Sequence, residues 1–189
     1  PSLLLRHLNS ESELYELLDG IDLSIVALHL EQITPEGNPH DLLIHYYDIV
    51  TKLGLNTAQL RGCLQCDPLL HPLDGGMPNL AKTLRFVRQY LPGWRVLHIR
   101  NPESSGDVQR VVEVLAAHVN QGIRYLEALR AEGLTVAEIA PHLQFSLEIG
   151  KSYFVEIATI RAFKVLWANV LKTYACTTYP VYLNAHLVE

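Results

Sequence analysis

The chain has 189 residues, of which 49% are hydrophobic and 19% are charged, and its formal net charge is −5 at pH 7. This composition is typical of a globular domain with its own core and excludes a disordered chain. The small acidic excess, without a run of basic residues, argues against nucleic acid as a partner. No apolar run approaches the roughly 20 residues of a membrane helix, so no membrane association is expected.

The three cysteines, an odd number, favour a reducing compartment over a secreted disulfide framework, so we expect a cytoplasmic location. The first residue is Pro1 and not Met, and we expect the chain to be a piece of a longer one.

Helices and strands alternate along the first half of the sequence. A capping-box pattern at residues 10–13 predicts a short helix that ends at Asp19-Gly20. The patterns that follow predict a strand over residues 22–30, a helix over 39–53, a strand over 59–66, a loop rich in Pro and Gly over 67–78 and a helix over 79–90.

The second half continues the alternation. The patterns predict a strand over residues 94–99, a polar loop over 101–106 and a long helix over 107–131. The predicted apolar face of that helix consists of Val111, Leu115, Ala116, Val119, Ile123 and Leu126. Thr135 and Glu138 form another capping box, before a strand over 142–149, a helix to about residue 172 and a fifth strand around 174–182.

The junction at Gly150 separates two different periods. Before it, apolar residues alternate with polar ones, which predicts a strand with two unlike faces. After it, apolar residues recur at three- and four-residue steps, which predicts a helix that packs against the strand. The recurring positions are Phe154, Ile157, Ala158, Arg161, Val165, Ala168 and Asn169.

Cysteine and histidine give only a weak signal for redox or metal chemistry. Cys63 and Cys66 have the spacing of a redox or zinc half-motif, but they lie in a predicted strand, where residues three apart point to opposite faces. We therefore interpret both as small strand residues. The nine histidines show no zinc-protease spacing, and no metal site is predicted.

Strands that alternate with helices, without a hairpin signal, predict an α/β fold with parallel strands. Polar residues within the strands and the lack of a glycine-rich phosphate loop favour part of a TIM (βα)8 barrel over an open sheet. A complete eightfold barrel needs about 250 residues. We therefore expect residues 1–189 to form one partial barrel domain, whose uncovered edges favour self-association of the isolated chain.

The stretch from His142 to Trp167 resembles a segment of the adenosylcobalamin-dependent acyl-CoA mutases, the family typified by methylmalonyl-CoA mutase. Its core, residues 153–162, fits the family pattern Y-F-x-E-I-A-x-x-R-A. Residues 64–69 are similar to the family's L-x-x-D-P-L turn, and residues 178–184 lie where the family has a T-V-Y-D-P-Y-V-N-like stretch. The residues that match in the main segment are Leu143, Phe145, Gly150, Phe154, Glu156, Ile157, Ala158, Arg161, Ala162, Leu166 and Trp167.

The resemblance implies an eightfold βα barrel that threads the CoA arm of the substrate along its axis, with a separate flavodoxin-like domain that holds cobalamin. Small hydrophilic residues inside such a barrel make room for a pantetheine chain. The resemblance therefore implies that His142, Gln144, Ser146 and Glu148 line the CoA channel or its remnant.

The sequence also departs from the catalytic members of the family. Their loop after the strand at 94–99 carries a histidine that polarises the thioester carbonyl, whereas residues 100–106 here contain none, and His98 is expected to be packed within the strand. The motif's arginine is replaced by His142, its second phenylalanine by Ser146 and its lysine by Thr159. The D-x-H-x-x-G motif of the cobalt-ligating histidine is absent. No catalytic, cofactor-binding or metal-ligating residue is therefore predicted.

This pattern resembles the small (beta) subunit of the heterodimeric mutases, which keeps the barrel without catalytic residues. The resemblance implies a structural chain whose partner is the catalytic large (alpha) subunit. That complex would act on acyl-CoA, with adenosylcobalamin bound by the partner or by a missing domain. Two alternatives are a catalytic chain of a divergent acyl-CoA mutase and an unrelated βα-barrel binding module.

Overall fold

The computed structural model describes residues 2–6, 11–31, 38–69, 75–100, 108–176 and 181–187. The chain divides into two compact units, Pro1–His98 and Ile99–Glu189. Among the described residues, no helix combines the length and the apolar character that crossing a membrane requires.

The first unit contains a parallel sheet with helices between its strands. Its strands are β1 (Ser2–Arg6), β2 (Ala27–Glu31), β3 (Gly62–Gln65) and β4 (Trp94–Arg95), and they lie side by side in this order. Each neighbouring pair is parallel. The helices are α1 (Glu11–Leu18), α2 (Pro39–Lys52) and α3 (Gly76–Tyr90).

Trp94 packs in the core of the first unit. Its ring is buried and lies 4.6 Å from the ring of Tyr46 in α2, centroid to centroid. Gly62 leaves the space that this ring needs, because an added Cβ there would lie 2.5 Å from two ring carbons of Trp94. The glycine in β3 is thus required by close packing.

The second sheet has three strands, β5 (Leu97–Arg100), β6 (Leu143–Ile149) and β7 (Tyr182–Leu187), in the order β5-β6-β7. The pair β6–β7 is parallel. The helices of this half of the chain are α4 (Val108–Ala131), α5 (Val136–Ile139) and α6 (Tyr153–Thr173), and a 3₁₀ turn, Ala140–His142, precedes β6.

An aromatic cluster joins α4, β6 and α6. The ring of Phe145 in β6 lies 4.8 Å from the rings of Phe163 and Trp167, both in α6, and both contacts are edge-to-face. Gly122 in α4 lies against this cluster, since an added Cβ would be 2.6 Å from a Trp167 ring carbon. The two helices and the strand therefore share one tightly packed core.

The predicted α/β class with parallel strands and alternating helices is confirmed, and neither described sheet closes on itself. The predicted helices over residues 39–53 and 107–131 agree with α2 and α4 within one residue at each end. The capping box before α5 is confirmed, because the Thr135 N–H donates to the Glu138 carboxylate at 2.7 Å. Ser10, the first residue of the other predicted box, lies outside the described residues.

The predicted strand limits are wrong in several places. About five strands were expected, and the described residues contain seven, including β1. The strand predicted over 22–30 begins only at Ala27, because the Asp22 carboxylate accepts hydrogen bonds from the N–H and hydroxyl of Ser24 and forms a turn. The strand at 94–99 is interrupted at Val96. Of the strand predicted around 174–182, residues 174–176 follow the end of α6, residues 177–180 lie outside the described residues, and Tyr182 begins β7.

The predicted buried face of α6 is also wrong. The buried residues of this helix are Thr159, Phe163, Trp167 and Leu171, which are four residues apart. The predicted apolar stripe lies instead on the opposite side, where Phe154 is 83% exposed and Val165 is 61% exposed. Both stripes have helical spacing, so the period did not decide which one faces the strand.

Candidate functional site

One face of β6 carries buried polar side chains. Gln144 is 4% exposed and Ser146 is 6% exposed, while Glu148 is half-buried. Leu143, Phe145 and Leu147 alternate with them and are buried too. The predicted division of this strand into a polar and an apolar face is thus present, and both faces are covered over most of its length.

The polar face continues on the neighbouring strand. In the β6–β7 register, Gln144 lies beside Tyr182, Ser146 beside Asn184 and Glu148 beside His186. Side chains at paired positions of a sheet point to the same face. The result is a two-strand surface of six polar side chains, which we call the β6–β7 polar face.

The three β7 residues are not among the predicted site residues. Because the last strand is predicted at 174–182, the positions after Tyr182 have no predicted face. A signal was nevertheless present: polar Tyr182, Asn184 and His186 alternate with Leu183, Ala185 and Leu187. Within β7, the side-chain amide of Asn184 lies 3.3 Å from Nε2 of His186.

His142, the fourth residue assigned to the channel, is not in the strand. It is buried and ends the 3₁₀ turn, with Pro141 inside that turn. Its position in the alternation therefore does not give its direction, and its assignment to the channel stays a prediction.

A histidine from α4 supports the backbone behind the polar face. His118 is buried, with Nε2 at 2.7 Å from the carbonyl oxygen of Ser146 and Nδ1 at 2.8 Å from that of Val114. Its ring also packs near Phe145 and Phe163. His118 thus links α4 to β6 at the residue in the middle of the polar face, a role that no pattern in the sequence indicates.

The turn from β6 to α6 is held by a carboxylate. Oε1 of Glu156 accepts a hydrogen bond from the N–H of Gly150 at 3.0 Å. Glu156 lies in the first turn of α6, where the helix dipole favours a negative charge. Arg161, the other polar residue singled out in this helix, is exposed and on the side away from the core.

The first unit has a polar group at the carboxyl ends of its strands, where parallel sheets commonly bind ligands. Arg6, Glu31 and Gln65 lie side by side in register on β1, β2 and β3. Nε of Arg6 is 2.6 Å from Oε2 of Glu31, whose side chain is almost fully buried. This ion pair ties the ends of β1 and β2 together.

Cys63 and Cys66, which have the spacing of a redox or zinc half-motif, are poor candidates for redox or metal chemistry. Burial raises the pKa of the Cys63 thiol to about 12, and that of Cys66 likewise to about 12. Both thiols are therefore protonated at neutral pH, whereas nucleophilic attack and metal binding need the thiolate. The His98 side chain is buried within β5, and the backbone N–H of His98 donates a hydrogen bond to the backbone carbonyl of Cys66 at 3.0 Å.

The β6–β7 polar face is rich in hydrogen-bonding groups. Its amide, hydroxyl, carboxylate and imidazole groups are mixed donors and acceptors. In the part of the chain that the structure describes, no group of three or more His, Cys, Asp or Glu side chains could hold a metal ion. The predicted loop over 101–106, which lacks the family's histidine, lies outside the described residues.

A family profile described as methylmalonyl-CoA mutase matches residues 7–187. Among curated relatives, the methylmalonyl-CoA mutase small subunit of Porphyromonas gingivalis is 28% identical, covering 89% of this chain and 28% of the relative. The large subunit of the same organism is 26% identical, covering 84% of this chain and 23% of the relative. The large subunit of Streptomyces virginiae is also 26% identical, covering 88% of this chain and 24% of the relative. The chain thus spans about a quarter of the length of these relatives.

Proposed function

Because the chain belongs to the methylmalonyl-CoA mutase family, we propose that it supplies barrel structure to the small, non-catalytic subunit of such a mutase. The complex would interconvert (R)-methylmalonyl-CoA and succinyl-CoA. The family match removes the alternative of an unrelated barrel whose motif arises by chance.

The β6–β7 polar face is the observation that carries this proposal. A pantetheine arm contains two amide groups, and each amide both donates and accepts hydrogen bonds. Gln144, Ser146 and Asn184 offer matching groups, and the buried position of the first two keeps them from bulk water. We assign the polar face to the CoA channel of the family barrel or to its remnant, within a single partial barrel domain.

The non-catalytic role rests on side chains that this chain lacks. A mutase must polarise the thioester carbonyl and shield a radical from water. Residues 100–106 contain no histidine for the first task, and Ser146 replaces a phenylalanine of the family segment. The chain therefore contributes structure to the catalytic subunit and does not perform the chemistry.

The cofactor of the complex would be adenosylcobalamin, which supplies the radical chemistry when bound. The residues of this chain do not fit it: the sequence has no D-x-H-x-x-G motif, and the described residues offer no cluster of metal-binding side chains. We therefore assign cobalamin binding to the catalytic large subunit or to chain outside this sequence. The buried, unpaired cysteines are compatible with a cytoplasmic complex.

An assay of the chain alone and with a large subunit tests the proposal. The chain is incubated with succinyl-CoA and adenosylcobalamin, and methylmalonyl-CoA is measured by chromatography. We expect no turnover by the chain alone, turnover once the large subunit of the same organism is added, and no heat on calorimetric titration of the chain with adenosylcobalamin. Turnover or stoichiometric cobalamin binding by the chain alone would show that it is catalytic.

Turnover or cobalamin binding by the chain alone would support the alternative, a divergent catalytic chain. The similar sequence identity to large and small subunits keeps this alternative open. The variant Arg161→Ala further distinguishes a structural chain from a catalytic one. If the chain is structural, the assembled enzyme retains its turnover, and any effect is on stability or solubility. A variant as stable as the parent but without turnover in the complex would favour the catalytic alternative.

A further inference from the structure

The side of α6 opposite its buried residues is apolar and faces water. Phe154 and Val165 are 83% and 61% exposed, and Ala158 and Ala162 lie between them at helical spacing and are exposed as well. These four residues define the outer face of α6. Monomeric proteins rarely leave a contiguous apolar stripe in water, and such a stripe marks an interaction surface.

The charges around the outer face all have one sign. Arg161, Lys164 and Lys172 are exposed on α6, whereas Glu156, the single acid of the helix, is half-buried and accepts the Gly150 N–H. In the described part of the chain, no acidic side chain pairs with these three cations. The chain as a whole carries a net charge of −5, so this local excess of positive charge is opposite to the rest.

The charges disfavour a second copy of α6 as the occupant. Two such helices packed through their outer faces would bring Arg161 of one copy close to the cations of the other, and like charges at an interface are unfavourable. Ala158 and Ala162 leave a shallow groove between Phe154 and Val165, where larger aliphatic side chains of another helix can pack. Carboxylates beside that helix's apolar ridge would meet the three cations.

We infer that the outer face of α6 binds an amphipathic helix of a different chain, with leucine-type side chains on its ridge and acidic residues on the flank that meets the cations. Phe154 supplies the aromatic anchor, and the cations set the specificity and the orientation. The inference uses only α6 and does not depend on the mutase role.

A peptide pair tests the charge and the apolar contact together. The probe is a labelled amphipathic peptide of about 18 residues, long enough to form a helix, with a leucine ridge and glutamate flanks. Its matched control has lysine in place of every glutamate. Fluorescence anisotropy with the whole chain should show saturable binding of the glutamate peptide, weaker at high salt, and binding of the lysine peptide at least about tenfold weaker.

Variants of the chain locate the surface. Val165→Asp should weaken binding of the glutamate peptide at least about tenfold. Val112→Asp makes the same change at a position of α4 that is 67% exposed but outside the outer face, and should leave binding unchanged. Arg161→Glu should reduce the preference for the glutamate peptide. Circular dichroism checks that each variant is folded.

Three results would overturn the inference. The first is no binding at millimolar peptide, and the second is equal binding of both peptides. The third is self-association of the chain, seen by analytical ultracentrifugation, that Val165→Asp removes, because it would make a second copy the occupant.

Discussion

The long helices α4 and α6 pack against the same strand, and the sequence predicts the buried face of α4 only in part and that of α6 not at all. In α4, Leu115 and Leu126 of the predicted apolar face are buried, but Ala116 is exposed and the other three residues are half-buried. The buried face is shifted toward Tyr125 and Leu129, which were not predicted. In α6, the predicted face lies in water and a different stripe is buried. A period thus comes closer to the buried face when the opposite side of the helix is polar.

The compositions of the two helices explain the difference. The exposed positions of α4 include Glu113, Asn120, Arg124 and Glu127, so burying any side but the apolar one would cost desolvation. In α6, alanine, valine and aromatic residues occur on nearly every side. Its buried face is selected by shape, because Trp167 fits against Phe145 and over Gly122.

The largest expected effect comes from removing the side chain of Trp167, whose packing determines which face of α6 is buried. Trp167 is 2% exposed, so Trp167→Ala should lower the free energy of unfolding by about 3–5 kcal/mol through lost contacts and a cavity. Phe154→Ala, on the outer face, should change it by no more than about 0.5 kcal/mol. Urea unfolding measures both, and equal losses would mean that the outer face is covered in the isolated chain.

A second prediction tests the close contact between the two helices. Gly122→Ala gains about 1 kcal/mol of helix propensity, but its Cβ would lie 2.6 Å from Trp167 and 3.1 Å from Phe145. Overpacking of this kind costs about 1–3 kcal/mol, and we expect net destabilisation.

The control for this substitution is the reverse change at an exposed position of the same helix. Ala117→Gly should destabilise the chain by about 1 kcal/mol through propensity alone. Thermal unfolding that showed Gly122→Ala to be stabilising would mean that α4 and α6 are further apart than their described packing.

The smallest expected effect is a polar substitution on the outer face. Val165→Ser should change the free energy of unfolding by no more than about 0.5 kcal/mol, because its side chain is already in water. The same substitution at Val114, which is buried in α4, should cost about 1–3 kcal/mol. Chemical denaturation of both variants at micromolar and at higher protein concentration also shows whether self-association covers Val165.

Local signals in the sequence predicted the features that local interactions decide. Asn38, whose side chain accepts the His40 N–H, starts α2 where the sequence predicts it, and Thr135 with Glu138 starts α5. Features that depend on distant contacts were missed. β1 is a short apolar segment that becomes a strand only by pairing with β2. In this pairing Ser2 lies beside Ala27, which is about 25 residues later in the sequence.

The candidate site likewise combines features that local patterns predict with features that depend on distant contacts. Alternation within one strand was enough to select Gln144, Ser146 and Glu148. The contribution of Asn184 depends on its register with Ser146, which is set by tertiary pairing and not by either segment alone. His118 was missed for a related reason, since its bond to the Ser146 carbonyl exists only after α4 docks on β6.

Strand order has a consequence for synthesis of the protein on the ribosome. Among the described residues, every strand after the first in each sheet lies beside the one that precedes it in the sequence. A strand that emerges from the exit tunnel therefore finds its pairing partner already made, and no early strand must wait for a late one to be inserted between it and its neighbour. Nascent chains arrested after residue 100 should already protect the backbone amides of β2 and β3 from hydrogen exchange.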